Sequence, residues 1–288
     1  MLFANCHFHS TFSDDEFSPE ELVQRGVAAG FRAMILTDHD TMRGSYFFLR
    51  AARLAGVLSL VGCEFSGRYQ DKNIHIVGVD FNAENAQIRE VLRRGASKQT
   101  ERSRLLFEHG VANGTLREGL TWQEVLDENP YNDYICNNHV FRSMLARGIY
   151  QKEEYDDFIM TNFSYSLPES KALSPMLRER YGNTAEEVMS AIRAAGGVPI
   201  VAHPEGLEAY ADELVALGAM GFETSHPEIS EGCKAFFADY CQKKGLYQLG
   251  GTDHSSVLGG TGFQEEMPPE SGNVTEENFM KLWRRELG

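Results

Sequence analysis

The sequence of 288 residues lacks the features that mark membrane, secreted and disulfide-stabilised proteins. No apolar run approaches the ~18 residues of a membrane-spanning helix and no charged-then-apolar leader is present, so we expect neither a membrane span nor a signal peptide. The five cysteines are odd in number and show no CxxC spacing. This usage is typical of reduced thiols in a cytoplasmic protein.

Basic residues are also scarce. Lysine and arginine total 27 against 42 acidic residues, and the net charge is −15. No Lys/Arg-rich run and no mixture of aromatic and basic residues typical of a nucleic-acid groove is evident, so we expect no long nucleic acid as a partner. The acidity by itself is explained by solubility. An anionic substrate would require local cations, and clustered metal ions could supply them.

The sequence does contain a regular alternation of strand-like and helix-like segments. Capping boxes at 18–21 and 184–187 begin two helices, and a third helix is predicted over 42–55, before Gly56. Seven short apolar runs predict strands, at 2–9, 33–37, 58–64, 74–81, 198–202, 220–224 and 246–250. Strands that alternate with helices indicate parallel βα units and an α/β fold.

The stretch 83–181 interrupts this alternation, because it is rich in Arg, Glu, Leu and Asn, has helical spacing and shows no clear strand. It predicts an all-helical insert, with 1–82 and 182–288 forming the main α/β unit. The tail has a proline-rich loop at 267–269 and a final helix over about 275–287. A chain of this length, 42% hydrophobic, can bury the core of one large domain with such an insert.

The first fifteen residues carry the earliest chemical signal. His7 and His9 stand two apart at the end of a strand-like run, so their side chains can project from the same face. Two neutral imidazoles side by side suit one divalent metal ion, and Asp14 could reach the same pocket from the following loop. For this motif alone, two surface or strand-end histidines without a metal are the alternative.

Further polar side chains follow most of the other predicted strands, and each has a structural alternative. Asp40 can cap the next helix, and Asp38 can orient a ligand imidazole. His75 can be a core histidine, and Glu64 a buried acid paired with a base. In a parallel barrel, however, all the carboxyl ends of the strands open on one face, and buried imidazoles and carboxylates are costly unless paired or metal-bound. The set therefore predicts a His, Asp and Glu cluster for zinc, manganese or iron.

Taken in order, these motifs resemble those of the PHP family, the polymerase and histidinol phosphatase family. The resemblance runs from residue 3 to about 260 and rests on His7-x-His9, Ser13-Asp14, Thr37-Asp38-His39-Asp40, Gly62-x-Glu64, His75-Ile76-Val77-Gly78, Ala202-His203-Pro204 and Gly251-Thr252-Asp253. It implies a distorted (β/α)7 barrel with an all-helical insert. It also implies two or three divalent metal ions (Mn, Zn or Fe) and the hydrolysis of phosphate esters.

The resemblance further implies which residues hold the metals. The ligands divide among three positions: His7, His9, Glu64 and Asp253 for the first; Glu64, His75 and His203 for the second; Asp14 and His39 for the third. Family members have an Asp-x-His motif at the last position, whereas His254 directly follows Asp253 here, and Asp15 replaces the usual glycine. Either His254 still coordinates a metal, or the third site is weaker or absent.

The expected reaction is direct attack on phosphorus by a hydroxide held between bridged metals, with a protonated group that assists the leaving alkoxide. Asp14 and His226 are the candidate proton donors. The helical insert would form a lid, and its segment 137–142 resembles one in which Arg and His face the site. Arg142, Lys171 and His226 are candidate substrate ligands. For Arg142 and Lys171 the alternative is solvated surface charge.

These inferences predict a phosphoesterase for a small anionic phosphorylated substrate. The substrate would be a phosphomonoester, such as a nucleotide or sugar phosphate, or a small cyclic phosphodiester. Histidinol phosphate is less favoured, because that branch of the family differs in the insert. One alternative is C–N bond hydrolysis of the amidohydrolase type, whose sites commonly use a bridging lysine where Glu64 stands here. A non-catalytic metal-binding module is the other.

Overall fold

The computed structural model of the protein describes residues 2–254 and 272–287, and its fold is mixed α/β. Each of the seven predicted runs overlaps a strand, although β3, β4 and β6 extend beyond the predicted bounds. The strands are β1 Ala4–Asn5, β2 Ala33–Met34, β3 Gly62–Tyr69, β4 Lys72–Val79, β5 Val198–Val201, β6 Gly221–Ser225 and β7 Tyr247–Gly250.

The strands form two sheets in the described part of the chain. β1 and β2 pair in parallel, and the second sheet has the order β3-β4-β5-β6-β7. Within it β3–β4 and β4–β5 are antiparallel, whereas β5–β6 and β6–β7 are parallel. Single β-bridges connect the two sheets. The segment after β1 is linked to the segment after β7 by Phe8 with His254, and the segment after β2 is linked to β3 by His39 with Glu64.

The (β/α)7 barrel expected from the sequence is not shown by the described residues, and the expected parallel arrangement is wrong for β3–β4 and β4–β5. β3 and β4 are joined by Gln70 and Asp71 alone, and so short a connection permits only antiparallel pairing. The ladders formed by residues 2–254 and 272–287 make two sheets, which single β-bridges connect, and they do not show a closed barrel. Glu64 and His75 consequently lie inside a hairpin, not at the carboxyl ends of parallel strands.

Local signals placed several helix ends correctly. The capping box of Ser18 and Glu21 begins α1, and Gly30 ends it with a φ of 99°. The Thr184 capping box begins α8 as predicted. The helices of the described ranges are α1 Pro19–Ala29, α2 Ser45–Ala55, α3 Ala86–Asn113, α4 Trp122–Glu128, α5 Asn137–Ala146, α6 Tyr155–Asn162, α7 Pro168–Tyr181, α8 Ala185–Ala194, α9 Ala211–Leu217, α10 Glu231–Lys244 and α11 Glu276–Trp283.

Two helices are shorter than predicted. α2 begins at Ser45 instead of residue 42, because Gly44 precedes its first turn, and α11 ends at Trp283. The proline-rich loop predicted at 267–269 lies outside the described residues. Among the described helices, none is both long enough and apolar enough to cross a membrane.

The larger sheet is buried on both faces. Successive β4 residues point to opposite sides: Ile76 packs with Phe222 of β6 and Ile192 of α8, whereas Val77 packs in the cluster that includes Phe279 of α11. A sheet covered on both faces holds its strand ends, and the loops that leave them, in fixed positions.

Residues 86–181 contain the helices α3 to α7. These helices bury an apolar cluster of their own that includes Phe107, Phe141 and Phe158. The long helix α3 also packs against α7 and α8. That this segment is an insert with a domain boundary at each end stays a prediction.

Candidate metal centre and active site

The candidate site is formed by side chains that lie within the strands or in the loops directly after them. Its side chains come from every strand or the loop after it: His7 and His9 after β1, His39 after β2, Glu64 in β3, His75 in β4, His203 after β5, Glu223 in β6 and Asp253 after β7. Residues that are far apart in the sequence therefore meet in one place, as predicted. His7 and Asp253 are 246 positions apart (253 − 7), yet His7 Nε2 lies 3.7 Å from Asp253 Oδ1.

Glu64 is at the centre of the cluster, and its side chain is buried. Its Oε2 faces three imidazoles: His39 Nδ1 at 2.9 Å, His7 Nε2 at 3.2 Å and His9 Nε2 at 3.4 Å. Its Oε1 faces two others: His75 Nδ1 at 2.9 Å and His203 Nε2 at 3.1 Å. Each oxygen of one carboxylate thus faces a different set of histidines, which is the arrangement of a carboxylate between two metal positions.

Two aspartates complete the cluster. Asp253 Oδ1 lies 2.8 Å from His9 Nε2 and 3.7 Å from His7 Nε2. Asp14 lies 3.5 Å from His9 Nδ1 through one oxygen and 3.6 Å from His39 Nε2 through the other. The structure therefore brings eight of the nine predicted metal ligands together, and His254 is the exception discussed below.

Three buried atoms of the cluster have no hydrogen-bond partner among the described residues: His7 Nε2, His9 Nδ1 and Glu64 Oε2. Such orphaned atoms are costly in a protein interior. They belong to sets whose ligand atoms lie within 4.8 Å of one another, namely His7-His9-Glu64, His9-Asp14-His39 and His39-Glu64-His75. Imidazole nitrogens and carboxylate oxygens at this spacing fit divalent metal ions.

The electrostatics of the cluster point the same way. Burial raises the pKa of Glu64, but His7 and His39 outweigh it and hold that pKa well below its usual range. Burial lowers the pKa of His7, yet Glu64 and neighbouring carboxylates raise it well above its usual value. The pKa of Asp14 falls to about 2, because His9 and His39 outweigh its burial. The raised pKa means that, without a metal, the His7 imidazole holds a proton that a divalent ion would replace.

A cavity of about 1480 Å³ opens onto this cluster. Four cluster residues line it: Asp14, His39, His75 and His203. Other parts of its wall come from helices α3, α5, α6 and α7, including Lys98, Asn137, Tyr155 and Lys171. This volume can accommodate a ligand of nucleotide size.

The PHP domain family model matches residues 5–173, more than half of the chain. The chain belongs to the PHP family. Its relatives include a 3′,5′-nucleoside bisphosphate phosphatase from Chromobacterium violaceum, 26% identical with 99% of both chains covered. A 5′-3′ exoribonuclease from Haemophilus influenzae is 29% identical, with 69% of this chain and 68% of the relative covered. The predicted family and enzyme class, a metal-dependent phosphoesterase, are confirmed.

Solved structures of the same fold include two from bacteria. A protein from Bifidobacterium adolescentis, described as a metal-dependent phosphoesterase, superposes with a TM-score of 0.78 at 20% identity. The superposition covers 99% of this chain and 96% of the other. An amidohydrolase from Chromobacterium violaceum, with bound sulfate and no metal, superposes with a TM-score of 0.71 at 22% identity, covering 98% and 96%. At these identities the likeness establishes the fold alone.

Glu223 has a position in this PHP site to which sequence reasoning gave no role, although the residue is among the polar side chains at the predicted strand ends. It is fully buried, and its Oε1 lies 2.8 Å from His7 Nδ1. Its Oε2 accepts the backbone N–H of His203 at 2.7 Å. One carboxylate therefore orients a residue from each of the two histidine sets that face Glu64. A charged residue inside the apolar run 220–224 was the available signal.

Backbone strain occurs in three loops of the site. Asp40, His203 and Asp253 have φ values of 47°, 28° and 48°. Positive φ is uncommon for residues other than glycine and, when the surrounding structure maintains it, is frequent at functional sites. The His203 N–H bond to Glu223 is one contact that maintains it here.

Asp38 and Asp40, the two aspartates of the Thr37–Asp40 motif, do not have the roles considered for them from the sequence, which were to orient an imidazole and to cap a helix. Asp38 accepts bonds from the Ser10 backbone N–H at 2.7 Å and from Ser13 Oγ at 2.9 Å, so it organises the loop that carries Asp14 and does not orient an imidazole. Asp40 accepts the Ser66 N–H at 2.9 Å and does not cap α2, whose N-cap is Gly44.

His254 is not part of any of the ligand sets found among the described residues. Its Nδ1 lies 2.6 Å from Asp15 Oδ2, and both side chains are buried. The two positions at which this chain departs from the PHP pattern are therefore in contact with each other. The prediction that His254 is a metal ligand is not supported.

The predicted substrate ligands have different fates. Arg142 donates to the backbone oxygens of Asp15 at 3.0 Å and Thr11 at 3.3 Å, and it does not line the cavity. His226 is fully buried: its Nδ1 accepts the Glu228 N–H at 3.1 Å, and its Nε2 lies 3.3 Å from Asp253 Oδ2. Backbone oxygens therefore occupy the Arg142 guanidinium, whereas His226 Nε2 has no hydrogen-bond partner among the described residues and belongs to ligand sets with His7 and Glu223 and with Glu228 and Asp253. That either residue contacts the substrate stays a prediction.

Proposed function

We propose that this PHP enzyme hydrolyses small phosphorylated metabolites at the cluster around Glu64. The substrate is a phosphomonoester, such as a nucleotide or sugar phosphate, or a small cyclic phosphodiester. The observation that carries the proposal is the Glu64 carboxylate, whose two oxygens face separate sets of histidines at 2.9–3.4 Å beside a large cavity.

The cluster would hold two divalent ions, of manganese, zinc or iron. The first position uses His7, His9 and Asp253, the second uses His75 and His203, and Glu64 lies between them. Bound there, the ions would neutralise phosphate oxygens and lower the pKa of a coordinated water. A third position has ligand atoms of His9, Asp14 and His39 within 4.8 Å of one another, and His254 is not in this set.

Asp14 and Lys171 are the protein groups that we place against the substrate. Asp14 lines the cavity, and its pKa of about 2 keeps it ionised at neutral pH. That charge state favours metal binding or proton acceptance, and it argues against the proton-donor role considered for it. Lys171 also lines the cavity, where an exposed ammonium group can contact a phosphate oxygen.

The names of two relatives support a substrate that contains nucleotides. One is a nucleoside bisphosphate phosphatase and the other is a 5′-3′ exoribonuclease. A nucleoside 3′- or 5′-phosphate is therefore our first candidate, and the end of a short RNA is the second. Residues 83–181, as a lid, would select among these, because α3, α5, α6 and α7 supply much of the cavity wall.

The test is phosphate release from a panel of esters, with metal content measured on the same samples. The panel contains nucleoside 3′- and 5′-phosphates, sugar phosphates, histidinol phosphate, cyclic phosphodiesters and short RNAs, with amides and lactams as a separate arm. His9→Ala should lose both metal and turnover. His109→Ala is the matched control, because this histidine is 48% exposed and lies in α3 outside the cluster.

Turnover of one ester class, with two metals per chain and loss in His9→Ala alone, would support the proposal. Hydrolysis of amides without ester turnover would instead indicate C–N chemistry of the amidohydrolase type. A fully metallated protein that releases nothing from either arm would indicate a binding module.

A further inference from the structure

The cavity beside the metal cluster contains a tyrosine to which the site described above gives no role. Tyr134 is only 7% exposed, yet it lines the cavity together with Asp14, His39 and His75. It lies in the segment between α4 and α5. Its ring is stacked on that of His39, with 6.1 Å between the ring centres and 21° between the ring planes. Tyr134 therefore contacts a candidate metal ligand through its ring and borders the space that a substrate would occupy.

The residues on both sides of Tyr134 are held by hydrogen bonds. Asp133 Oδ1 accepts the hydroxyl of Thr41, in the segment between β2 and α2, at 2.6 Å. The Ile135 N–H donates to Thr100 Oγ1 of α3 at 3.0 Å. The tyrosine ring is therefore positioned by two separate parts of the fold, independently of any ligand.

Tyr134 differs from the other buried tyrosines of the described residues in the state of its hydroxyl. The others all have hydrogen-bond partners: Tyr69 with Glu213, Tyr150 with the Arg117 N–H, Tyr155 with Asn138 and Tyr247 with the Leu287 N–H. The Tyr134 hydroxyl has no partner within residues 2–254 and 272–287, whereas buried tyrosine hydroxyls usually have one. It is also absent from the fully buried atoms that lack a partner, so it is accessible from the cavity.

A phenol hydroxyl in this position is suited to an anionic oxygen. It is a neutral donor that keeps its proton at neutral pH. Its hydrogen bond to a phosphate oxygen would be charge-assisted, and such bonds are stronger than those between neutral groups. A donor that the fold already holds in place also requires no reorganisation when the substrate binds.

We propose that the Tyr134 hydroxyl donates a hydrogen bond to an oxygen of the phosphoryl group that is hydrolysed at the Glu64 cluster, so that Tyr134 is a further catalytic residue. The inference rests on the proposed function and adds a protein donor to it. The proton stays on the phenol oxygen, and no covalent bond to Tyr134 forms or breaks. The donor stabilises the negative charge of the phosphoryl oxygens from the helical side of the cavity.

The experiment removes the hydroxyl and keeps the ring. Tyr134→Phe is made in the full chain, and the phenylalanine can still stack on His39. Tyr150→Phe is the matched control, because Tyr150 is a buried tyrosine in the apolar cluster of the helical segment and does not line the cavity. Steady-state kinetics are measured with 4-nitrophenyl phosphate and adenosine 3′-monophosphate. Metal content, and thermal unfolding of the chelated proteins, are measured on the same preparations.

We expect kcat/KM of Tyr134→Phe to fall about tenfold or more for both esters, which corresponds to ~1.4 kcal/mol. Its metal content and Tm should equal those of the wild type, because no hydrogen bond within the protein is lost. Tyr150→Phe should show the opposite pattern, a lower Tm from the loss of the Arg117 N–H bond and an unchanged kcat/KM. A wild-type kcat/KM in Tyr134→Phe, or a loss explained by missing metal, would overturn the proposal.

A binding measurement separates this inference from the proposed function. Calorimetric titration of the manganese-loaded proteins with inorganic phosphate needs no turnover. Weaker phosphate binding by Tyr134→Phe than by the wild type and Tyr150→Phe supports the hydroxyl donor, even where no ester is hydrolysed. Equal affinities in the three proteins, or no phosphate binding by the wild type, refute the donor, even in an active phosphatase.

Discussion

Replacing Glu223 by Gln should weaken metal binding about 10- to 100-fold, although this residue is not expected to contact a metal. The carboxylate receives two bonds, from His7 Nδ1 at 2.8 Å and from the His203 N–H at 2.7 Å, one on each oxygen. Glutamine has the same shape but only one acceptor oxygen. Its NH₂ group would face one of the two donors.

The magnitude follows from the loss of one buried bond to a charged group. Such a bond contributes ~1.5–3 kcal/mol, and at ~1.4 kcal/mol per tenfold change this corresponds to about one to two orders of magnitude in affinity. If His7 is the donor left unpaired, its ring can rotate and Nε2 no longer faces Glu64. If the His203 N–H is left unpaired, the strained loop at that residue relaxes and its ring moves away from Glu64.

The assay is a chelator-competition titration of the purified variant with Zn²⁺ and Mn²⁺. Glu231→Gln is the control, because its side chain is 90% exposed at the start of α10 and belongs to none of the ligand sets found among the described residues. Thermal unfolding of the chelated proteins shows whether Glu223→Gln still folds. A folded variant that binds metal within about twofold of the wild type, less than ~0.5 kcal/mol, would refute the orienting role.

Three other outcomes are expected. His254→Ala should leave the metal content unchanged by elemental analysis but lower stability by ~1–3 kcal/mol in denaturant unfolding, because the buried bond to Asp15 is lost; loss of one metal per chain would contradict this. Arg142→Met should raise KM only slightly but lower the occupancy of the position near Asp14, since Arg142 binds the Thr11 and Asp15 carbonyls. In chelated protein the pKa of His7 is higher in the folded state than in the unfolded state, where it is about 6.5. The ion pairs of His7 therefore stabilise the fold fully below pH ~6.5, and this stabilisation is lost as the pH rises through the folded-state pKa. Thermal melts should therefore show a Tm that falls with rising pH, and saturating metal should remove this trend.

The parts of the fold that depend on local chemistry were predictable from the sequence. Ser18 with Glu21, and Thr184 with Glu187, are complete capping boxes, and the structure begins helices at both. Apolar runs marked all seven strands. The antiparallel direction of β3 and β4 was not predicted in the same way. Only Gln70 and Asp71 join the two strands, and the polar residues around them resembled the loop after a parallel strand.

The candidate site shows the same division. His7, His9, Glu64 and Asp253 lie in motifs with fixed spacing, and the structure places them together. Roles that depend on contacts between distant segments were missed or wrong. Glu223 meets His7 across 216 positions, a pairing that no local pattern encodes.

The loop that carries Asp14 is attached to the helical segment, not only to the sheet. The Asn138 side chain of α5 donates to the Asp14 carbonyl oxygen at 2.5 Å, the Asn132 side chain donates to that of Thr11 at 3.0 Å, and the Arg142 guanidinium binds the next turn of the loop. The helical segment that lines the cavity and the loop that carries Asp14 are therefore directly connected by hydrogen bonds. Exchange of residues 83–181 for the corresponding segment of a relative would change the helices that line the cavity, but it would also remove the hydrogen bonds that hold the Asp14 loop in place. Changes of substrate preference in this protein should consequently arise by point substitutions within the segment, not by its replacement.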